Sequence, residues 1–340
     1  MLDSYQQYRH HVGDINLTTK IEWVDETWNP IVGCTKISPG CNGCYAARMA
    51  HRLGQTSKTP QYKGTTKGKG EWSGKIRFVE HLIEKPRSWN KPKRVFVCSM
   101  GDIFHENTSE EWIEVLWNKM LEFSQHTYMI LTKRPGRMQD FISKRKDRNG
   151  LPLDLLDPVS GQPKNIWLGV TAENQAKANE RIPILLNTPA AKRFASVEPM
   201  LGRLDLAADR FINGLDWVLC GGETGPKARP MHPKWVHLLR NQCKDAGVPF
   251  FFKQWGEFYT KAIDSTTGGR IFTMYENKAD RKNIHDWSGG SIAVDMEGRI
   301  FRQEDALINA VFPVAVMHKM KRKEAGHLID GREFREIPET

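Results

Sequence analysis

The stretch RVFVCSMGDIFHENTSEEWIEVLWNKMLEFSQHTYMILTKR, residues 94–134, decides the fold class of this chain. It contains two short apolar runs, Arg94–Cys98 and Thr127–Leu131, and both are typical of buried strands. Between them, Thr108–Phe123 carries Trp, Leu, Met and Phe at helical spacing and starts with a capping-box pattern. The stretch therefore predicts a strand, a helix and a second strand parallel to the first.

The same alternation continues towards the C-terminus. Further strand-like runs lie at Ile166–Val170, Lys192–Val197, Trp217–Cys220 and Pro249–Phe252, and Pro233–Ala246 has the period of a helix. We expect an α/β fold, either an open doubly wound sheet or a full or partial TIM-like (β/α) barrel. Polar side chains follow each of the six runs, and the carboxyl ends of barrel strands build active sites, which favours the barrel.

The chain has 340 residues, enough for one large domain or two ordinary ones. We expect a barrel domain over residues 1–257, with a mobile basic insertion near 62–75 that is rich in Gly and Lys and has little to bury. From residue 258 the alternation weakens, so residues 258–340 are predicted to be a C-terminal extension.

Lys and Arg number 50 against 40 Asp and Glu, which gives a formal charge of +10. This balance favours an anionic partner, with nucleic acid first among the candidates, although a solvated basic surface has the same composition. The start of the chain lacks the pattern of a secretory signal, and no apolar stretch is long enough to span a membrane. We therefore expect a cytoplasmic protein without membrane contact.

The strongest chemical signal is CTKISPGCNGCYA, residues 34–46, which holds Cys34, Cys41 and Cys44. Its Pro, Gly and Asn residues favour tight turns, so the three thiolates can converge on one centre. The loop follows a predicted first strand near Asn29–Gly33 and leads into a predicted first helix, Tyr45–Leu53, which is rich in helix formers. An iron–sulfur cluster accepts three cysteines when one iron is left open, and this possibility is favoured.

Zinc is the alternative metal for this loop. A structural zinc site needs four protein ligands, and the fourth would have to be a residue such as His51 or Cys98.

The stretch TKIEWVDETWNPIVGCTKISPGCNGCYA, residues 19–46, resembles a known family. A three-cysteine loop after the first strand, with an aromatic residue after the last cysteine, is similar to the radical SAM superfamily. More narrowly, the stretch resembles an uncharacterised phage-associated family grouped near DNA-repair proteins of the spore photoproduct lyase type. The narrower resemblance runs to about Glu257. One departure is that six residues, rather than the usual three, separate Cys34 from Cys41.

The resemblance implies that Cys34, Cys41 and Cys44 bind a [4Fe–4S] cluster whose open iron chelates S-adenosylmethionine. It also implies reductive cleavage of S-adenosylmethionine to a deoxyadenosyl radical, with a reductant such as flavodoxin or ferredoxin. The leading hypothesis is therefore a radical SAM enzyme that repairs or modifies nucleic acid. The alternatives are a radical SAM enzyme acting on a peptide or small metabolite, and a non-catalytic zinc-stabilised nucleic-acid-binding protein.

Several residues match cofactor-binding positions of the resembled superfamily. Tyr45 corresponds to the aromatic residue near the adenine, or packs as an ordinary helix residue. Gly101 and Asp102 follow the second strand, where the methionine amino group is received. Lys133 and Arg134 are candidates for the methionine carboxylate or a substrate phosphate, with a surface ion pair as the alternative.

Acidic residues and cysteines at other strand ends complete the candidate site. Glu173, Glu198 and Glu223 are candidates for orienting ribose hydroxyls or substrate, the first as a cofactor ligand and the other two as catalytic groups. Cys98 and Cys220 are candidates for donating a hydrogen atom to a product radical, although a lone cysteine in apolar surroundings is usually part of the core.

Overall fold

The computed structural model describes residues 21–145, 153–208, 210–263, 270–283, 290–302 and 308–339. The strands, in chain order, are β1 (Glu26–Trp28), β2 (Ile31–Val32), β3 (Arg77–Phe78), β4 (Arg94–Val97), β5 (Thr127–Thr132), β6 (Ile166–Thr171), β7 (Lys192–Val197), β8 (Trp217–Gly221), β9 (Phe250–Gln254), β10 (Phe258–Tyr259), β11 (Thr273–Tyr275), β12 (Ser291–Val294), β13 (Ile300–Phe301) and β14 (Val314–Lys319). The helices are α1 (Tyr45–Leu53), α2 (Glu110–Glu122), α3 (Pro135–Lys144), α4 (Gln175–Leu186), α5 (Pro233–Asp245) and α6 (Arg322–Ala325).

Seven parallel strands form the main sheet in the order β1-β4-β5-β6-β7-β8-β9. The sheet curls into a half-barrel, and its two edge strands, β1 and β9, are not paired with each other. Helices α2, α3, α4 and α5 follow β4, β5, β6 and β8, as parallel crossovers require. The predicted α/β class with a partial TIM-like barrel is therefore confirmed, and the described strands do not close into a full barrel.

The sequence pattern located most elements of this sheet correctly. Strand β7 has the predicted bounds, and the other five predicted strands differ from the observed ones by one or two residues. A strand does lie within the predicted range Asn29–Gly33, as β2, but it is not the first strand of the chain. The first is β1, which joins the main sheet, and Asn29 and Pro30 separate the two. Strand β2 pairs instead with β3 in a small antiparallel sheet.

Alternate residues of the strands face two different cores. On the convex side, residues such as Val95, Ile130 and Val218 pack against the helices. On the concave side lie large side chains, joined by Trp23 from the segment before β1; these concave residues are Phe96, Met129, Trp167, Phe194, Trp217, Leu219 and Phe251. The ring of Trp23 lies 4.8 Å from that of Phe96 and 5.9 Å from that of Trp217. These side chains fill the bottom of the half-barrel, as in closed barrels, and leave polar groups at its top.

The C-terminal part contains a second, antiparallel sheet in the order β10-β14-β12-β13, with β11 also paired to β14. After α6 the chain returns to the main sheet, where the N–H of Phe252 donates to the carbonyl of Phe334 at 2.7 Å. The N–H of Glu336 likewise donates to the carbonyl of Phe250 at 3.2 Å, so this tail covers the free edge of β9. The division into residues 1–257 and 258–340 stays a prediction, and its first 20 residues lie outside the described part.

Among the described helices, none combines the length and the apolar character needed to cross a membrane.

Candidate functional site

The three-cysteine loop joins β2 to α1 and lies over the carboxyl ends of the main-sheet strands. It leaves β2 at Gly33, which has φ +100° and would place a Cβ 2.1 Å from the carbonyl oxygen of Lys75, so only glycine fits there. A single 3-10 turn covers Pro39–Cys41, and Cys44 directly precedes the first residue of α1. The predicted helix from Tyr45 to Leu53 is confirmed in its bounds.

The beginning of the loop is held by Arg134, at the end of β5. Its Nη1 lies 3.8 Å from the sulfur of Cys34 and 3.0 Å from a carboxylate oxygen of Asp102. Its Nη2 donates to the hydroxyl of Thr35 at 2.6 Å. The side chains of Arg134 and Asp102 are 9% and 7% exposed, so their ion pair is largely shielded from water.

The middle of the loop is held by a buried ion pair between Glu173 and Arg181. Arg181 Nη1 lies 3.0 Å from Glu173 Oε2, and the side chains are 1% and 0% exposed. The other carboxylate oxygen of Glu173 accepts from the N–H of Gly40 at 3.1 Å. Burial acts to raise the pKa of Glu173, but the hydrogen bond from the Ser38 side chain and the charge of Arg181 outweigh it, so the pKa is lowered.

A third pair, Glu223 with Arg229, holds the loop from the end of β8. Arg229 Nη2 lies 2.7 Å from Glu223 Oε1 and donates to the carbonyl of Pro39 at 2.9 Å. A Cβ at Gly43 would lie 2.5 Å from the same carboxylate oxygen, so the loop backbone rests directly on this carboxylate.

The acidic partners of these pairs therefore come from the segments after three alternate strands, β4, β6 and β8, whereas Arg134 follows β5. Together the pairs hold the loop at three points. Their contacts fall on Thr35, Pro39 and Gly40, which belong to the six residues between Cys34 and Cys41. The longer spacing of the cysteines thus has a structural use in this chain, because the additional residues supply the contacts that fix the loop.

Two of the three thiols, those of Cys34 and Cys41, have pKa values shifted in opposite directions. Burial raises the pKa of Cys34 to about 12, with further contributions from Asp102 and from the neighbouring Cys41 and Cys44. The pKa of Cys41 is lowered, because Lys133 and backbone hydrogen bonds outweigh burial. Cationic groups that favour thiolates, Arg134 and Lys133, therefore face two of the three sulfurs.

The donor set fits a cluster better than a single metal ion. Within the described ranges, no three His, Cys, Asp or Glu side chains are gathered closely enough to hold one ion. In a cubane cluster each cysteine binds a different iron, so its sulfurs stand further apart than the ligands of one ion, and no fourth protein ligand is needed. The two residues considered as a fourth zinc ligand are otherwise engaged, since His51 contacts Thr66 at 3.4 Å and Cys98 packs in the convex core.

The other predicted cofactor residues lie around the same loop. The Tyr45 hydroxyl donates to the carbonyl of Ser99 at 3.0 Å, while its ring is partly exposed. Gly101 bridges to Gly33, and a Cβ there would lie 2.9 Å from the carbonyl oxygen of Ile31. Lys133 is half-buried, and no described acidic side chain pairs with its ammonium group.

Asp102 is already saturated with hydrogen bonds. Its first carboxylate oxygen accepts from the N–H of Phe104 and the hydroxyl of Thr132, at 3.0 and 2.8 Å. Its second accepts from Arg134 and, at 3.4 Å, from the N–H of Lys133. A further role in binding an ammonium group would require one of these donors to leave.

The predicted catalytic candidates separate into two groups. Glu198 faces the top of the concave side, where Lys253 Nζ lies 2.8 Å from its Oε1. Cys98 and Cys220 are buried on the convex side, the latter with its sulfur 3.7 Å from that of Met200. Burial raises the pKa of both thiols. Glu223, as described above, is engaged by Arg229.

Sequence reasoning missed Arg181, Arg229 and Lys253 as partners of the acidic residues. Arg181 follows Glu173 by eight residues and Arg229 follows Glu223 by six, but no local pattern marks these spacings as pairs. Lys253 directly ends a strand-like run, so its position at a barrel rim was the one available signal.

Comparison with known proteins places the chain in a family. The family described as "Protein of unknown function (DUF5131)" matches residues 18–338, so the chain belongs to it. No curated protein matches the chain.

Among solved structures, the chain is similar to spore photoproduct lyase. A variant of that protein matches at 12% identity with a TM-score of 0.37, over 79% of this chain and 73% of that chain. Spore photoproduct lyase complexed with dinucleoside spore photoproduct matches over the same shares, at 12% identity and a TM-score of 0.36. A further variant, with bound AdoMet and dinucleoside spore photoproduct, matches at 12% identity, with the same coverage and a TM-score of 0.37.

Proposed function

We propose that this protein is a radical SAM enzyme that acts on nucleic acid, in repair or modification. The observation that carries the proposal is the three-cysteine loop, which three acid–arginine pairs hold over the carboxyl ends of a parallel half-barrel sheet. The carboxyl end of such a sheet is where α/β barrels place their active sites.

In this proposal Cys34, Cys41 and Cys44 hold a [4Fe–4S] cluster, beside which S-adenosylmethionine binds. Together these groups supply one-electron cleavage of S-adenosylmethionine and abstraction of a hydrogen atom from the substrate. The external electron donor would be a flavodoxin or ferredoxin. The location would be the cytoplasm, where cysteines stay reduced, as all six are in this structure.

The residues of the chain have distinct tasks in this arrangement. Arg134 orients the Cys34 end of the loop and donates towards its sulfur. Lys133, whose ammonium group has no acidic partner among the described residues, is suited to a carboxylate.

The concave side below the loop would enclose the substrate. Its lower half is filled by apolar and aromatic residues, which exclude water, and its upper half carries the Glu198–Lys253 pair. We assign Glu198 and Lys253 to substrate orientation. The buried positions of Cys98 and Cys220, on the far face of the sheet, favour a role in the core.

The nucleic-acid part of the proposal is supported by the formal charge of +10. A peptide or small-metabolite substrate, and a zinc-stabilised binding protein without catalysis, are the competing outcomes of the test. Association with phages stays a prediction from the sequence resemblance.

The test is anaerobic reconstitution of the purified chain with iron and sulfide, followed by reduction in the presence of S-adenosylmethionine. We expect the broad visible absorption of an iron–sulfur cluster and the formation of 5′-deoxyadenosine. Cys41→Ala should abolish both, whereas Cys243→Ala, at a buried position in α5, should abolish neither. Binding of zinc alone, or 5′-deoxyadenosine formation by Cys41→Ala, would refute the proposal.

A further inference from the structure

Residues 62–75, here named the lysine hairpin, form a compact structure beside the cysteine loop. The N–H of Lys67 donates to the carbonyl of Glu71, and that of Ser73 to the carbonyl of Thr65, both at 2.9 Å. At the tip, Gly68 and Gly70 have φ +81° and +88°, in the left-handed region that favours glycine. The alternation of Gly and Lys in this stretch therefore serves a tight turn.

The lysine hairpin is docked on the candidate site. Trp72 packs against an apolar cluster that includes Ala46 and Ala50 of α1, and Cys44 packs against the same cluster. The carbonyl of Gly74 accepts from Asn107 at 3.3 Å, and a Cβ at Gly74 would lie 3.3 Å from the methyl group of Thr35. At the tip, a Cβ at Gly70 would lie 3.2 Å from the side chain of Arg48 in α1.

The lysines of this hairpin point into solvent without acidic partners. Lys63, Lys67, Lys69 and Lys75 are all exposed, and none forms an ion pair with a described acidic residue. Elsewhere in the protein a lysine such as Lys119 pairs with two glutamates. Unpaired lysines grouped on one element can neutralise the phosphates of a polyanion and release the counterions condensed on it, which makes them a binding surface for phosphates.

An exposed apolar surface lies next to these charges. Tyr45 and Met49 are four residues apart on one face of α1 and are 42% and 39% exposed. Arg48, which contacts the hairpin tip, belongs to the same helix. The surface therefore offers cations for a backbone and an aromatic ring with a thioether for unstacked bases. A single strand presents both chemistries, whereas a duplex hides its bases and an acidic peptide has none.

We propose that the lysine hairpin and the exposed face of α1 bind a segment of single-stranded nucleic acid and lead it to the cysteine loop. The inference deepens the proposed function, because it names the surface and the strand state through which the substrate is held. It rests on that function for its purpose, but the binding itself needs neither cluster nor S-adenosylmethionine.

The test measures the affinity of the full chain, as purified, for a fluorescent single-stranded DNA 20-mer at several salt concentrations. We expect Lys67→Gln/Lys69→Gln to weaken binding several-fold at low salt. We also expect it to reduce the slope of log affinity against log salt by roughly 1.4, because each phosphate contact on a single strand contributes about 0.7.

The matched control is Lys91→Gln/Lys244→Gln, which removes the same charge from exposed positions near the amino ends of β4 and β9. It should leave the slope unchanged. An equal loss in both double variants would overturn the assignment of the hairpin, because only net charge would then matter. The same 20-mer as RNA distinguishes the two sources of a single strand, and affinity for either supports the proposal.

Two further binding measurements distinguish a single strand from a duplex and from an acidic polypeptide. The complementary duplex should bind more weakly than the single strand, and equal affinity would overturn the single-strand assignment. Poly-glutamate should compete poorly, and competition equal to that of the 20-mer would show a site for acidic polypeptides. If the hairpin lysines are needed for binding but the protein forms no cluster, this inference stands and the proposed enzyme is refuted. If the cluster forms but the hairpin variant binds as well as the wild type, the proposed enzyme stands and this inference is refuted.

Discussion

The guanidinium of Arg134 lies 3.8 Å from the sulfur of Cys34. The same group is anchored by Asp102 at 3.0 Å and by Glu106, so its position is fixed from the opposite side. A fixed cation beside a ligand sulfur stabilises the thiolate and tunes the group that the thiolate binds.

Replacing Arg134 should therefore change the properties of the bound cluster. We expect Arg134→Gln to lower iron affinity by about ten-fold to a hundred-fold, the usual range for groups that orient metal ligands. The reduction potential should fall, because a positive charge near the cluster favours its reduced form. Iron analysis and a redox titration measure the two effects. Arg134→Lys keeps the positive charge but lacks the planar set of guanidinium donors, so it should recover part of the reduction potential. An unchanged reduction potential in Arg134→Gln would contradict this role of Arg134.

The stability of the protein should depend strongly on both partners of the buried Glu173–Arg181 pair under the loop. Glu173→Gln leaves the buried Arg181 with only the exposed Glu180 carboxylate, 3.7 Å from its Nε, as counter-charge, which we expect to cost about 3–5 kcal/mol of unfolding free energy in urea. The double variant Glu173→Gln/Arg181→Met should be much closer to the wild type. As a control, Lys177→Gln disrupts an exposed pair with Glu180 and should change stability by less than about 1 kcal/mol. Equal losses in the single and double variants would contradict the pairing.

Two glycines provide a steric test of the loop. Gly43→Ala would place a methyl group 2.5 Å from a carboxylate oxygen of Glu223, so we expect a displaced loop and reduced iron binding. Gly136→Ala lies in α3 with open space around the new methyl group, and should stabilise the protein by roughly 0.5–1 kcal/mol. Full iron content in Gly43→Ala would show that the loop yields to the methyl group.

Stability should fall in mild acid because of His232. This residue precedes α5, where its Nδ1 accepts from the N–H of Lys234 at 3.1 Å, and burial lowers its pKa to about 4. An unfolded histidine has a pKa of about 6.5, so between about pH 6.5 and 4 the unfolded chain binds a proton that the native protein excludes. The contribution of neutral His232 to the unfolding free energy is present in full above about pH 6.5. As the pH falls from about 6.5 to 4, this contribution is lost at about 1.4 kcal/mol per pH unit.

The comparison is with His232→Asn, which keeps a good helix-capping residue without a titrating group. Urea unfolding at pH 7, 6 and 5 should show a shallower decline in this variant than in the wild type. Identical pH dependence in the two proteins would exclude His232 as a source of the acid sensitivity. Other buried histidines whose pKa is lowered, such as His105 and His126, are present in both proteins and cancel in the difference.

The local sequence pattern was enough to predict those strands and helices whose own residues determine which side chains are buried. The run at Lys192–Val197 contains Phe, Ala and Val among its last four residues and predicts a strand with its observed bounds, and α1 was predicted equally well. The capping box expected at Thr108 is replaced by Ser109, whose hydroxyl accepts from Trp112, because two adjacent hydroxyl residues compete for that place. Strand β1, a three-residue segment with only one fully buried side chain, gave no pattern.

The site could be predicted only in part for a physical reason. The turn-forming residues between the cysteines made the tight turn at Pro39–Cys41 predictable, because that information lies within 11 residues of sequence. The hydrogen bond from Gly40 to Glu173 joins residues 133 positions apart, and the contact between Arg229 and Pro39 joins residues 190 positions apart. Such contacts depend on the register and curl of the whole sheet, which no local pattern contains.

Because three ion pairs hold the cysteine loop, the structure bears on whether folding or cofactor insertion comes first. Since the contacts at Thr35, Gly40 and Pro39 come from segments after β5, β6 and β8, the loop takes its shape only when these strands are in place. Much of the conformational entropy of the loop is then lost during folding rather than on loading with iron. Folding should therefore precede cofactor insertion, and the iron-free chain should be a native protein ready to receive its cluster.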